Sequence, residues 1–244
     1  MSFPVYFHIL GHRVHPHGVM EVIAYAGGFQ LYRMTRGRWP RAKMSFEQTL
    51  WIFVGAVFGA LIGSKVLACV ESLPSYWPHR FDPQVWFEGK TIVGGLLGGW
   101  AGVEIAKKLT GITHSTGDAF VFPLIFGMAV GRVGCFLTGL ADHTYGIATT
   151  LPWGVDFGDG IRRHPAQLYD IVFLAVLAGG LLVWRQRLSH NGQLFRIFLA
   201  CYFAWRLGVE FLKPTWKPYL GLSAIQLACV LGGVACVLSE YVLA

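Results

Sequence analysis

Three cations, Lys65, Arg132 and Arg206, fall within or at the edges of long apolar stretches of this 244-residue chain. A charge near the bilayer centre costs about 2.5 kcal/mol or more on insertion scales, so such residues face a polar interior and mark a working site. A guanidinium stays charged and offers five donors in a fixed fork, which suits bidentate binding of a phosphate. In a membrane, a phosphate suggests a lipid head group. Arg132 stands in Gly131-Arg132-Val133-Gly134-Cys135-Phe136, with Gly139 and Tyr145-Gly146 beyond it. Glycines beside an arginine let a backbone or a bulky ligand approach the guanidinium closely. Arg206 lies four residues before Glu210 in Tyr202-Phe203-Ala204-Trp205-Arg206-Leu207-Gly208-Val209-Glu210, so the two share a helix face. Glu21, Glu104, Asp118, Asp170 and Glu210 are the acids available as partners. An ion pair that only fixes helix packing is one reading of each cation. An arginine held by an acid beside a phosphate pocket is the other, and for Arg132 and Arg206 together it is favoured.

A further constellation, Arg163-His164-Pro165-Ala166-Gln167-Leu168-Tyr169-Asp170, puts a proline where a helix begins, a position that suits the first turn. It brings His164, Gln167 and Tyr169 to a membrane interface. The plain interpretation is an interfacial cap with a tyrosine belt.

The elements that must position these groups follow from composition. The chain is 54% hydrophobic and 14% charged, with a mean hydropathy of +0.50, whereas soluble domains carry about 25% charged residues. Apolar stretches of about 20 residues cross the hydrocarbon core as helices. Such stretches occur at roughly 17–34, 48–70, 91–109, 118–140, 165–184, 194–212 and 221–243. Glu21 and Gln30 interrupt the first. Nothing alternates with the period of a barrel strand, and backbone groups in lipid must be satisfied internally, so the spans are helices. The expectation is an all-α membrane protein with about seven transmembrane helices, a single polytopic domain over 1–244, and an external segment at about 141–164.

Orientation follows from the basic residues, which concentrate in cytoplasmic loops. With the N-terminus outside, the inner loops hold Arg33, Arg36, Arg38, Arg41 and Lys43, then Lys107 and Lys108, then Arg185, Arg187 and Arg196. The outer side holds Arg13, Arg80, Lys90, Arg162, Arg163, Lys213 and Lys217, spread among Asp82, Glu88, Asp142, Asp156 and Asp159. The N-terminus outside and the C-terminus cytoplasmic is the better arrangement. A net charge of +7 does not imply nucleic acid as a partner, because the basic residues form no stripe with interleaved aromatics. Five cysteines, Cys69, Cys135, Cys201, Cys229 and Cys236, with no CxxC pair, argue against a disulfide framework or a zinc site. The first residues lack the basic region and cleavage site of a signal peptide, so the N-terminus is expected to be retained.

In their order and spacing these pieces resemble the bacterial prolipoprotein diacylglyceryl transferases, from about His17 to the last helix. The resemblance rests on Gly94-Gly95-Leu96-Leu97-Gly98, on Asp118 and Pro123 leading into Gly131-Arg132-Val133-Gly134, and on Gly146 and Leu151-Pro152-Trp153-Gly154. It continues through Arg163 to Tyr169, then Tyr202, Arg206, Val209-Glu210-Phe211 and Gln226. No single piece is specific; the ordered set is. The resemblance implies a seven-helix enzyme, N-terminus outside, of the bacterial inner membrane. Such an enzyme transfers diacylglyceryl from phosphatidylglycerol to the lipobox cysteine thiol of a preprolipoprotein and releases glycerol phosphate, with no metal or redox cofactor. Fixed cations would stabilise the charge developing on the departing phosphate. It carries Arg132, Arg206, Tyr202 and Gly146 over as functional positions.

The chain also departs from the family. It has Val93 where the family has a histidine, Cys135 in place of an asparagine, Lys213 where an arginine is usual, and Lys65 where arginine is common. His164 and His17 are then the imidazoles expected to assist proton transfer. Cys135, Glu210, Gln167 and Lys65 join Arg132, Arg206 and Gly146 as the expected substrate-binding set. The competing classes are a related lipid-head-group transferase with another acceptor and a noncatalytic lipid-binding paralogue.

Overall fold

The computed structural model describes residues 3–36, 44–82, 89–188 and 190–243. Long helices occupy every apolar stretch: α1 (Pro16–Thr35), α2 (Phe46–Glu71), α3 (Ile92–Thr110), α4 (Val121–Thr138), α5 (Ala166–Trp184), α6 (Gln193–Val209) and α7 (Ala224–Leu243). Three helical segments, Phe46–Glu71, Asp118–Asp142 and Ala166–Arg187, are long and apolar enough to cross a membrane. The described residues also hold two short hairpins: β1 (Phe7–Ile9) pairs with β2 (His12–Val14), and β3 (Val155–Asp156) pairs with β4 (Arg162–Arg163), both antiparallel. Of the residues expected in the first inner loop, Arg38, Arg41 and Lys43 lie outside the described residues, as does Glu88.

Local chemistry sets the helix ends. Ser45 and Gln48 form a reciprocal capping box at the start of α2, satisfying backbone donors that would otherwise be unpaired. Ser223 and Gln226 repeat the device at the start of α7, which is why this helix begins at Ala224 rather than at 221. Asp118 caps from afar: its carboxylate accepts from the backbone N–H of Gly192 at 2.6 Å and of Phe195 at 2.9 Å, at the start of α6. Glu71 accepts similarly from Ile225 N–H at 2.9 Å in the first turn of α7. A single 3-10 turn, Asp118–Phe120, precedes α4, and another, Glu210–Leu212, follows α6, accounting for the wider spans expected there.

The chain divides into two compact units. The first comprises Met1–Pro40, Thr116–Phe198 and Phe211–Pro214; the second comprises Arg41–Ser115, Leu199–Glu210 and Thr215–Ala244. In the first, α4 packs between α1 and α5. One end of the unit is sealed by an aromatic cluster in which Phe3 meets Phe136 and Phe157 edge-on, at centroid distances of 5.6 and 5.1 Å. Phe157 is buried, so the N-terminal segment and the 141–164 segment share one core at one end of this unit.

In the second unit α2 and α3 run together along facing glycines. A Cβ added at Gly59 would overlap the carbonyl oxygen of Gly98, and one at Gly98 would overlap that of Gly59. Gly63 and Gly94 stand in the same relation one turn away, as do Gly55 and Gly102 on the other side. Small residues every fourth position let two membrane helices approach to backbone contact, gaining dispersion where lipid supplies no hydrophobic drive.

Candidate active site

In the first unit the site grows from the C-terminal half of α4. Arg132 is buried there, and its Nε lies 2.8 Å from Oδ2 of Asp170 on α5. Of the five acids that the sequence offered, Asp170 pairs with Arg132 and Glu210 with Arg206. Asp118 serves as a helix cap, and Glu104 pairs with Lys107 at 3.0 Å. Gln167 precedes Asp170 by three residues and so lies on the same face of α5. Its amide oxygen and nitrogen are both buried and make no hydrogen bond to the described residues. Buried polar groups are nearly always partnered, so this amide is a ready contact for a polar ligand group.

Three residues beyond Arg132, Cys135 belongs to a second cluster. An imidazole nitrogen of His17, Sγ of Cys135 and a carboxylate oxygen of Asp142 all lie within 4.8 Å of one another. His17 Nδ1 is 3.4 Å from Asp142 Oδ1, and the Thr144 hydroxyl donates to Asp142 Oδ2 at 2.5 Å. Gly134 makes this possible: a Cβ there would come within 2.9 Å of Met20 Cβ and 3.4 Å of His17 Cα, so the glycine lets α1 settle on α4. Sequence reasoning had placed Asp142 among scattered outer-loop charges. Only the 3-10 turn Gly139–Asp142 returns it to the end of α4.

His164 sits apart from that cluster in bonding. Its Nδ1 is 3.0 Å from the Tyr169 hydroxyl, which also accepts from Trp153 Nε1 at 2.8 Å. The phenolic oxygen has two lone pairs, so it donates its proton to Nδ1 or accepts a second bond from it according to the imidazole's tautomer. Gly146 lies beside it, donating its N–H to His164 O at 2.8 Å; a Cβ at Gly146 would sit 2.6 Å from His164 Cβ. The close approach gives this glycine a packing role of its own.

The 141–164 segment is tied down by charge. Arg162 donates to the carbonyls of Leu151, Pro152 and Gly154. Arg163 makes a two-pronged pair with Asp159, with both bonds 2.7 Å long. The hydrogen bond from Arg163 holds the Asp159 carboxyl below its ordinary range, and the same bond raises the guanidinium.

In the second unit Tyr202, Arg206 and Glu210 recur every fourth residue along one face of α6 and its closing turn, and all three are buried. Arg206 Nη2 lies 2.5 Å from Glu210 Oε2. Gln226 donates to Leu207 O at 3.3 Å, so the α7 capping box also braces this helix. Lys65 donates to Gly89 O at 3.0 Å, tethering the loop before α3. Val93, at the start of α3, is 1% exposed and wholly aliphatic, so it offers no proton acceptor.

Long apolar helices carrying buried, acid-paired arginines define a helical membrane protein. The chain belongs to the prolipoprotein diacylglyceryl transferase family, whose family model matches residues 4–242. Curated relatives carry the name phosphatidylglycerol–prolipoprotein diacylglyceryl transferase. The one from Solidesulfovibrio magneticus is 31% identical over 223 residues, 85% of this chain and 80% of its own length. That of Coxiella burnetii is 31% identical over 230 residues, 91% and 85% of the two chains. That of Dehalococcoides mccartyi is 28% identical over 238 residues, 91% and 86% of the two chains. No solved structure matches the chain significantly.

Proposed function

We infer that this protein is a phosphatidylglycerol–prolipoprotein diacylglyceryl transferase. It works as a multi-pass protein of the bacterial inner membrane, with its N-terminus and the 141–164 segment outside. The observation that carries the reading is the buried Arg132–Asp170 pair three residues from the His17–Cys135–Asp142 cluster. It sets a fixed cation for a phosphate beside groups suited to a thiol. In the reaction the thiolate sulfur of the acceptor cysteine forms a bond to the glyceryl carbon. The carbon–oxygen bond to phosphate breaks, and glycerol phosphate leaves with the electron pair. A guanidinium already oriented by its acid stabilises that charge without reorganising. Arg206, oriented by Glu210, offers the same chemistry in the second unit, with Tyr202 one turn away. The Gln167 amide is suited to a lipid ester or phosphate oxygen. His164 is suited to proton transfer at the leaving group, and thiolate formation falls to the His17–Cys135–Asp142 cluster.

The test supplies purified protein with phosphatidylglycerol and a lipobox peptide and follows products by mass spectrometry. A diacylglyceryl thioether is expected. Glycerol phosphate without an adduct would redirect the reading to another acceptor, and neither product would leave a noncatalytic lipid-binding paralogue.

A further inference from the structure

We propose that His17, Cys135 and Asp142 bind a zinc ion whose fourth position takes the substrate thiol, so that the thiol is activated by coordination. The inference deepens the transfer reading and rests on it for the identity of the fourth ligand. Cysteine spacing argued against zinc because it tests for pairs close in sequence. The fold instead gathers one nitrogen, one sulfur and one oxygen donor from three separate places. They come from the first turn of α1, the last turns of α4 and the 3-10 turn after it.

The donor set and its geometry suit the ion. Zinc takes imidazole, thiolate and carboxylate at about 2.0–2.3 Å, so the donors of a tetrahedral site stand about 3.2–3.8 Å apart. Here the donor atoms lie within 4.8 Å of one another, the His17–Asp142 pair at 3.4 Å, so assembly needs a closing of about 1 Å. Among the described residues this is the one group of three such side chains so arranged. An orienting partner is in place: Thr144 donates to one oxygen of Asp142 and leaves the other toward His17, as outer partners of metal-bound carboxylates do. Charge balances as well. Asp142 and Asp170 carry two negative charges against one positive on Arg132, and coordination would ionise the Cys135 thiol, so a divalent cation neutralises the whole.

Three protein ligands and one open position are the pattern of a catalytic rather than a structural zinc. A free thiol has a pKa of about 8.5 and is mostly protonated at neutral pH. A thiol that coordinates zinc is deprotonated outright. The acceptor S–H would give its proton to water at the outer interface and bind as thiolate, its sulfur then forming the bond to the glyceryl carbon as the phosphate oxygen departs. This supplies the activation that the aliphatic Val93 is unable to give.

The experiment uses the full chain in detergent, with zinc counted by mass spectrometry and cobalt exchanged as a spectroscopic probe. About one zinc per chain is expected, falling at least tenfold in His17→Ala and in Cys135→Ala. The cobalt form should show a thiolate charge-transfer band that grows when the lipobox peptide is added and stays constant with a serine-for-cysteine peptide. The wild-type cobalt spectrum decides the matter even if a variant fails to fold. Zinc retained in both variants, or a wild-type chain that forms thioether with no metal bound, overturns the site while the transfer reading stands. Zinc bound without any thioether product overturns the catalytic use of the ion together with that reading.

Discussion

Arg132 and Asp170 meet between α4 and α5 with Nε 2.8 Å from Oδ2, and neither side chain reaches the surface appreciably. A buried pair adds little net stability over an apolar substitute, but removing one partner strands the other's charge. Asp170→Ala should therefore lower unfolding stability by about 3–5 kcal/mol, read from denaturant or thermal unfolding in detergent. A loss no larger than that of an exposed substitution such as Val176→Ala would show that the pair is solvated.

Replacing Arg132 by lysine keeps the charge and removes the planar fork. The transfer rate should fall by about 10²-fold or more, as when one preorganised donor is removed from a developing anion. Arg36→Lys, in the turn that ends α1, is the control. Equal rates in the two variants would take the guanidinium out of the chemistry.

The glycine contact between α2 and α3 makes a sharper structural prediction. Gly98→Val drives a side chain into the Gly59 carbonyl, so the helices must separate, at a cost of about 1–3 kcal/mol or more. Gly179→Val on α5 has open space around the new Cβ and should be near neutral. Comparable melting temperatures for the two variants would contradict the close approach.

The Asp159–Arg163 pair links the β3–β4 hairpin to pH. Because the folded carboxyl titrates below its ordinary value of about 3.9, its contribution is complete above that value and lost as pH falls through the lower, folded one. Hydrogen exchange at Gly158, Gly160 and Ile161 should accelerate in that acid window, and Asp159→Asn should show the fast exchange already at neutral pH. Exchange in the variant indistinguishable from wild type would assign the order of the loop to Asp156, which accepts from three backbone N–H groups there.

Topology is decided by labelling single cysteines with an impermeant thiol reagent in intact cells. A cysteine at Asp156 should label and one at Arg36 should not. The reverse pattern would invert the orientation.

The sequence by itself determined where the helices are. Apolar length in lipid admits little else, and the Ser45–Gln48 and Ser223–Gln226 boxes and the Gly111 helix end are local signals readable within a few residues. It also marked Arg132 and Arg206, because a cation inside an apolar run stands out whatever surrounds it. Which acid answers which arginine was beyond it: five carboxylates were available to three cations, and only packing set Asp170 on Arg132 and Glu210 on Arg206 while turning Asp118 into a helix cap. The facing glycines of α2 and α3 were visible as residues but not as a contact, since one glycine series becomes an interface only when another lies against it. The cluster of His17, Cys135 and Asp142 belongs wholly to tertiary structure. Its members come from two helices and a turn, and donor geometry depends on how those elements pack, which residue spacing along one chain does not encode.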